Sequence, residues 1–220
     1  MTPLDRLERR YGRFYIPNLM LWVAGGQIVV WLIMMLFDAR IYFLMSLTRS
    51  GLMRGQVWRL VSFIFLPPYT TSPLSVALNV YFDWFVGTAL ERQWGSFRFN
   101  VFYLAGMLGA VAAALLTGSA GNTALNLSLF FAFAMLYPEL QLLLFFVLPI
   151  KVKWLGWLSG ALYAWQLLVS PLSGKASLLL CMAGFLLFFG RDLWYAARDA
   201  VVNYRRRQQW KKQLKDRWKR

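Results

Sequence analysis

The sequence predicts an all-α membrane protein, a bundle of six transmembrane helices with a long interfacial first loop and a basic C-terminal helix. Three observations carry that expectation. Of 220 residues, 59% are hydrophobic and 18% aromatic, with a mean hydropathy of +0.49, whereas soluble domains are usually about half apolar. The excess falls into six blocks of roughly 15–20 residues, long enough to cross a bilayer core as helices. The 24 Lys/Arg, which give a net charge of +15, lie mostly between and beyond those blocks rather than inside them.

The elements follow in order. Residues 1–18 form a basic head with Arg6, Arg9, Arg10 and Arg13. The head does not read as a cleavable signal, because charge continues to Arg13 and the next apolar run lacks a small-residue cleavage site. The first span is placed at Leu19–Phe37. Residues 38–73 make the long first loop, whose apolar part, Val57–Leu66, is too short to cross and is expected at the interface. Span two is placed at Pro73–Leu90, span three at Phe99–Leu116, and span four at Asn122–Tyr137 after a Gly/Ser-rich turn, Thr117–Gly121. Leu140–Ile150 is apolar but is bounded by prolines at 138 and 149, so it reads as a connector that dips into the membrane. Span five is placed at Trp154–Val169 and span six at Ala176–Gly190. The domain division is therefore head 1–18, membrane domain 19–190 and tail 191–220. Spans two, five and six are expected to be short against the twenty or so residues of an ordinary span.

Charge orients the bundle. With the N-terminus inside, inner segments hold nineteen Lys/Arg and outer segments five, which predicts both termini in the cytosol. The tail carries eleven of these cations against Asp192, Asp199 and Asp216, with Trp194, Trp210 and Trp218 at roughly helical spacing. A basic helix bearing tryptophan suits an anionic headgroup surface, with Arg205, Arg206, Arg207, Lys211 and Lys212 as the lipid-binding cluster; a plain solvated helix is the alternative. Nucleic acid is not the expected partner, because no recognised binding motif accompanies the charge. One cysteine, Cys181, and no histidine exclude an intramolecular disulfide and the usual zinc constellations. No metal or other cofactor is expected.

Five motifs in order resemble the rhomboid superfamily of intramembrane serine proteases. Gly55-Gln56-Val57-Trp58-Arg59-Leu60 is similar to its first-loop signature. There the indole of Trp58 would anchor at headgroup depth, and the guanidinium of Arg59 would satisfy loop carbonyls or lipid phosphate. Asn79 is followed twelve residues later by Glu91 in Glu91-Arg92-Gln93-Trp94-Gly95-Ser96, which resembles the turn between spans two and three. Pro149-Ile150-Lys151-Val152-Lys153-Trp154 resembles the approach to span five, and Cys181-Met182-Ala183-Gly184-Phe185 a segment of span six. Trp58, Arg59, Glu91, Arg92, Gly95, Ser96 and Gly184 are the structural positions this resemblance implies.

The departures bear on activity. Rhomboid proteases carry a nucleophilic serine in Gly-x-Ser-Gly and a histidine base. Here the first stretch reads Gly121-Asn122-Thr123-Ala124, so Thr123 stands at the nucleophile position and Cys181 at the histidine position. A further family histidine is replaced by Ser75, and only Asn79 remains of the usual oxyanion-stabilising groups. A hydroxyl without a base is a poor nucleophile at neutral pH, so no catalytic residue is expected. The chain resembles derlins most closely, through Gln56-Val57-Trp58-Arg59, Leu66-Pro67-Pro68 and Asn79-Val80-Tyr81-Phe82. That resemblance implies a pseudoprotease that binds transmembrane clients in quality control, trafficking or dislocation, with local thinning of the bilayer as the expected means. The alternatives are a protease using Thr123 or Ser128, and a small-molecule transporter component. The latter calls for an internal repeat, and none is evident.

Asp83, in the middle of span two, is the other polar feature of note, because an ionisable group at that depth is expensive unless paired or wetted. Asn79 and Asp83 are one turn apart and share a helix face. Asn79, Asp83, Asn126 and Ser128 are the expected lining of a client cavity, with Gln166 a further possible partner; a packed, neutral carboxyl is the alternative. Gly156-x-x-x-Gly160 permits close helix approach within the bundle or in a dimer.

Overall fold

The long apolar runs form helices because their backbone polar groups can then be satisfied internally, as a membrane interior requires. The computed structural model describes residue 12 and residues 15–68, 72–144 and 148–190. The expected basic tail helix and its lipid-binding residues, with most of the basic head, lie outside the described residues. The chain divides into two compact units, residues 1–185 and 186–220. Of the second unit, residues 186–190 are described, and they are helical.

In the first unit, α1 spans Leu19–Leu36. The first loop folds into short pieces: α2 (Arg40–Met45), β1 (Leu47–Thr48), α3 (Arg49–Met53), α4 (Arg59–Ser62) and a 3-10 turn, Phe63–Phe65. Then come α5 (Pro73–Trp94), α6 (Ser96–Thr117), β2 (Ser119–Ala120), α7 (Thr123–Leu136), β3 (Gln141–Leu144), β4 (Leu148–Lys151), α8 (Val152–Val169) and α9 (Leu172–Cys181). Two of these, α1 and α6, are long and apolar enough to cross a membrane by length and composition. Helix α5 is as long as α6 but carries Asp83, Glu91 and Arg92.

The boundaries follow local chemistry. Pro73 opens α5, where its missing N–H costs nothing, and the Ser72 hydroxyl accepts the Ser75 N–H. Gly95, at φ 84°, turns the chain from α5 into α6. Helix α5 packs on α1, α6 and α7, and α6 packs chiefly on α9. The core between them is aromatic and small-residue: Phe63, Phe99, Phe102, Tyr103, Phe133 and Ala110, Ala113 and Ala114 are buried. By contrast Trp22 of α1 and Trp154, Trp157 and Trp165 of α8 point outward with most of their surface exposed. Rows of exposed aromatics of that size suit lipid contact better than water.

Two expectations need correction, on spans two and six, and three further segments are more defined than the sequence indicates. Span two is not short: its helix continues four residues past Leu90 to Trp94, for 22 residues, because nothing before Gly95 breaks it. The span-five helix has 18 residues, about 27 Å. The shortest of the apolar bundle helices between α1 and α8 is α7, with 14 residues, and its burial among α5, α6, α8 and α9 keeps it from setting a lipid boundary. Span six begins earlier, at Leu172, and is interrupted at Met182 before residues 183–190 resume the helix. The break lies between two points where this segment meets α6 backbone to backbone. A Cβ on Gly109 would collide with the Leu180 carbonyl, and one on Gly184 would lie 2.6 Å from the Phe102 carbonyl. The connector after α7 is an antiparallel hairpin, pairing Gln141 with Lys151 through Leu144 with Leu148. At its base Glu139 accepts hydrogen bonds from Lys151 at 2.7 Å and Lys153 at 2.6 Å. Those two lysines hold its carboxyl down at about 2. Finally, the Thr117–Gly121 turn is not free: Leu47 pairs with Ala120 and Thr48 with Ser119, stitching the first loop to the end of α6.

Arg59 organises that first loop. Its side chain is buried, 7% exposed, and donates to the carbonyls of Phe43 (2.8 Å) and Ser46 (2.5 Å), to Gln56 Oε1 (2.6 Å) and to Thr48 Oγ1 (3.4 Å). Its partners are loop groups rather than lipid phosphate. Trp58 lies at the surface, its indole N–H directed at the Leu44 carbonyl at 3.4 Å.

Candidate functional site

A polar group inside this apolar bundle must find a partner or reach water, so the polar side chains of α5, α6 and α7 mark the site. Asp83, at the midpoint of α5, is half-buried. Its Oδ2 accepts a hydrogen bond from Asn126 Nδ2 of α7 at 2.5 Å. Behind the pair lies Tyr103 of α6, 2% exposed and within the field of the Asp83 carboxylate. The Tyr103 hydroxyl is buried with no hydrogen-bond partner. Aromatic pairs close the α5–α7 seam on either side, Phe82 with Phe130 at 5.7 Å and Phe85 with Phe133 at 5.7 Å.

The other two residues expected in this cavity do not join it. Asn79 is exposed, and its amide donates to the Ser75 carbonyl of its own helix at 2.7 Å. Ser128 is fully buried, and its hydroxyl donates to the Leu125 carbonyl at 2.6 Å. Two positions on from Asn126 a helix has turned by about 200°, so Ser128 cannot share that residue's face. Gln166 is exposed on α8.

At the head of α7, Thr123 is exposed, while its neighbour Asn122 ties the first loop down through an Nδ2 hydrogen bond to the Leu66 carbonyl at 2.7 Å. Cys181 is buried at the end of α9, its thiol hydrogen-bonded with Ser177 one turn back. Tyr163 of α8 reaches α9 through its hydroxyl, which donates to the Leu178 carbonyl at 2.6 Å.

The Rhomboid domain family model matches residues 54–194. The chain belongs to the rhomboid family. No curated protein matches it. The matched span takes in the first-loop arginine, α5 through α9 and the Gly184 crossing, so the scaffold described above is a rhomboid scaffold. Within the matched span Thr123 is exposed and Cys181 is buried, in a chain with no histidine.

Glu91 has a longer reach than a local turn. It is 7% exposed, and its Oε1 accepts the backbone N–H of Asn18, the residue in left-handed conformation that leads into α1. Arg92 is exposed, and Ser96 opens α6 just after Gly95. Gly156 packs against Ala134 of α7, whereas a side chain at Gly160 would meet open space; only the first glycine of that pair serves close packing inside the bundle. Tyr103 and Gln27 were not legible as polar partners in the sequence. Gln27 is 2% exposed and donates to the Ile64 carbonyl at 3.2 Å, a contact that fastens α1 to the first loop.

Proposed function

We propose that this rhomboid-family protein is a non-catalytic, derlin-like member that binds transmembrane segments of other membrane proteins in quality control, trafficking or dislocation. The observation that carries this reading is the absence of any histidine, which leaves Thr123 and every buried hydroxyl without the usual base. Asp83 and Asn126 support it: they put a polar, half-buried patch on the α5–α7 seam. A polar group on a client helix has an incentive to meet such a patch rather than hydrocarbon. Span two is too long to support bilayer thinning; the 18-residue α8, with its outward tryptophans, is the helix at which any thinning would arise.

The test is to incubate the purified chain, in lipid, with transmembrane substrates carrying a photocrosslinker. Crosslinks without cleavage, and no labelling by serine-directed probes, are expected. Robust cleavage abolished by Thr123→Ala or Ser128→Ala would overturn the reading in favour of a protease.

The same proposal places both termini in the cytosol by the charge rule and assigns residues 194–218 to anionic lipid. Each well-placed Lys/Arg there is worth roughly 1 kcal/mol. Binding of a 194–218 peptide to vesicles should fall steeply as salt rises or anionic lipid is withdrawn. Equal binding to neutral vesicles at high salt would mean an apolar anchor instead.

A further inference from the structure

Resting on that reading, we infer that the Asp83–Asn126 pair selects client helices bearing a basic side chain, lysine above all, at mid-membrane depth. The pair presents acceptors in excess of donors. Asn126 gives one amide N–H to Asp83 Oδ2, and among the described residues Asp83 Oδ1 and Asn126 Oδ1 have no hydrogen-bond partner. Neither oxygen is among the sealed, unpartnered atoms of the interior, so both remain open at the half-buried seam. Among the described residues no lysine or arginine pairs with Asp83.

A lysine ammonium is the chemical complement of that arrangement: three donors, no acceptor and one positive charge. A basic residue in a lone transmembrane segment is costly in hydrocarbon and gains by pairing with a carboxylate. Depth agrees as well. Asp83 lies ten residues into a 22-residue helix, about 15 Å from either end, where a client's central lysine cannot reach the headgroups without strain. The seam thus offers a charge match to one class of client and none to an all-apolar or acidic segment, whose own carboxylate Asp83 would repel.

The experiment uses the full-length protein in phosphatidylcholine–phosphatidylglycerol vesicles at neutral pH. The probes are two synthetic single-span leucine-rich peptides, one with a central lysine and one with norleucine at that position. Energy transfer from labelled protein to labelled peptide reads association. The lysine peptide is expected to bind about tenfold more tightly than the norleucine peptide, the worth of one charge-assisted hydrogen bond. Asp83→Asn, which keeps the shape and can still accept the bond from Asn126, should erase that preference: the two peptides should then bind alike, with the thermal midpoint unchanged.

Equal binding of the two peptides to the wild type overturns the selection for basic clients but leaves client binding standing. Failure of both peptides to bind overturns both. A preference that survives Asp83→Asn places the cation elsewhere and likewise overturns the assignment. If Asp83→Asn proves unstable, a peptide with its lysine moved two turns from the centre supplies the second reading: its advantage over norleucine should vanish on the wild type, and an unchanged advantage overturns the assignment to Asp83.

Discussion

Gly184→Val is expected to prevent normal assembly of the membrane domain. The Cβ of any larger residue there would lie 2.6 Å from the backbone carbonyl of Phe102, and 3.2 Å from the Gly106 nitrogen. Those atoms belong to α6 itself and cannot rotate away as a side chain can, so the helices must part. Overpacking of this kind costs about 3 kcal/mol or more when the obstacle is backbone. It also opens gaps along the whole α6–α9 contact. Gly109→Val should do the same from the other side, against the Leu180 carbonyl. The measurement is the monodisperse fraction and thermal midpoint in detergent, with Gly160→Ala as control. Nothing lies within 4 Å of a Cβ at Gly160, and alanine there should be neutral or better by helix preference. A Gly184→Val protein that melts with the control would show that the crossing is not close.

The second large effect is expected at Arg59. Arg59→Ala removes the donor for the Phe43 and Ser46 carbonyls and strands the Gln56 amide oxygen. Hydrogen bonds to a charged group contribute about 1.5–3 kcal/mol each. With three of them lost, a cost of about 4 kcal/mol or more follows, offset only where water reaches the freed carbonyls. For a chain of this length that is roughly a 10 °C fall in thermal midpoint. Arg59→Lys should recover only part of it, because an ammonium cannot reproduce the fork that spans Gln56 on one side and two carbonyls on the other. Gly51 reinforces the point: a Cβ there would run into the arginine side chain, 2.6 Å from its Cδ, so the guanidinium has a slot shaped for it. A midpoint within a degree or two of wild type for Arg59→Ala would refute this account of the loop.

Hydropathy along the chain located the helices well because each run is apolar enough to need internal backbone pairing. Its limits appear at ends and breaks. Helix α5 runs on through Glu91–Trp94, since charged residues do not stop a helix and Gly95 does. The segment 141–151 reads in sequence only as a connector dipping into the membrane, because a short apolar run interrupted by proline has no periodicity to declare the strand pair it forms. The β1–β2 link joins residues 47–48 to 119–120, a separation in sequence at which no local signal operates.

The sequence by itself determined the membrane character, the order and approximate positions of the helices, the rhomboid motifs from Gly55 onward and the lack of a histidine. It also marked Asp83 as the polar residue needing an explanation. Tertiary structure alone decided what Asp83 meets. Asn126 and Ser128 look equivalent in a polar-residue scan, yet helix geometry turns one toward α5 and the other into a bond with its own backbone. Tyr103 reads as one more aromatic in an apolar run until packing seals its hydroxyl beside the carboxylate. Periodicity fixes which residues share a face of one helix. Which faces of three helices turn toward each other is settled by close packing at crossings such as Gly109 and Gly184, where the shape of the partner's backbone, and not the polarity of a residue, decides the fit.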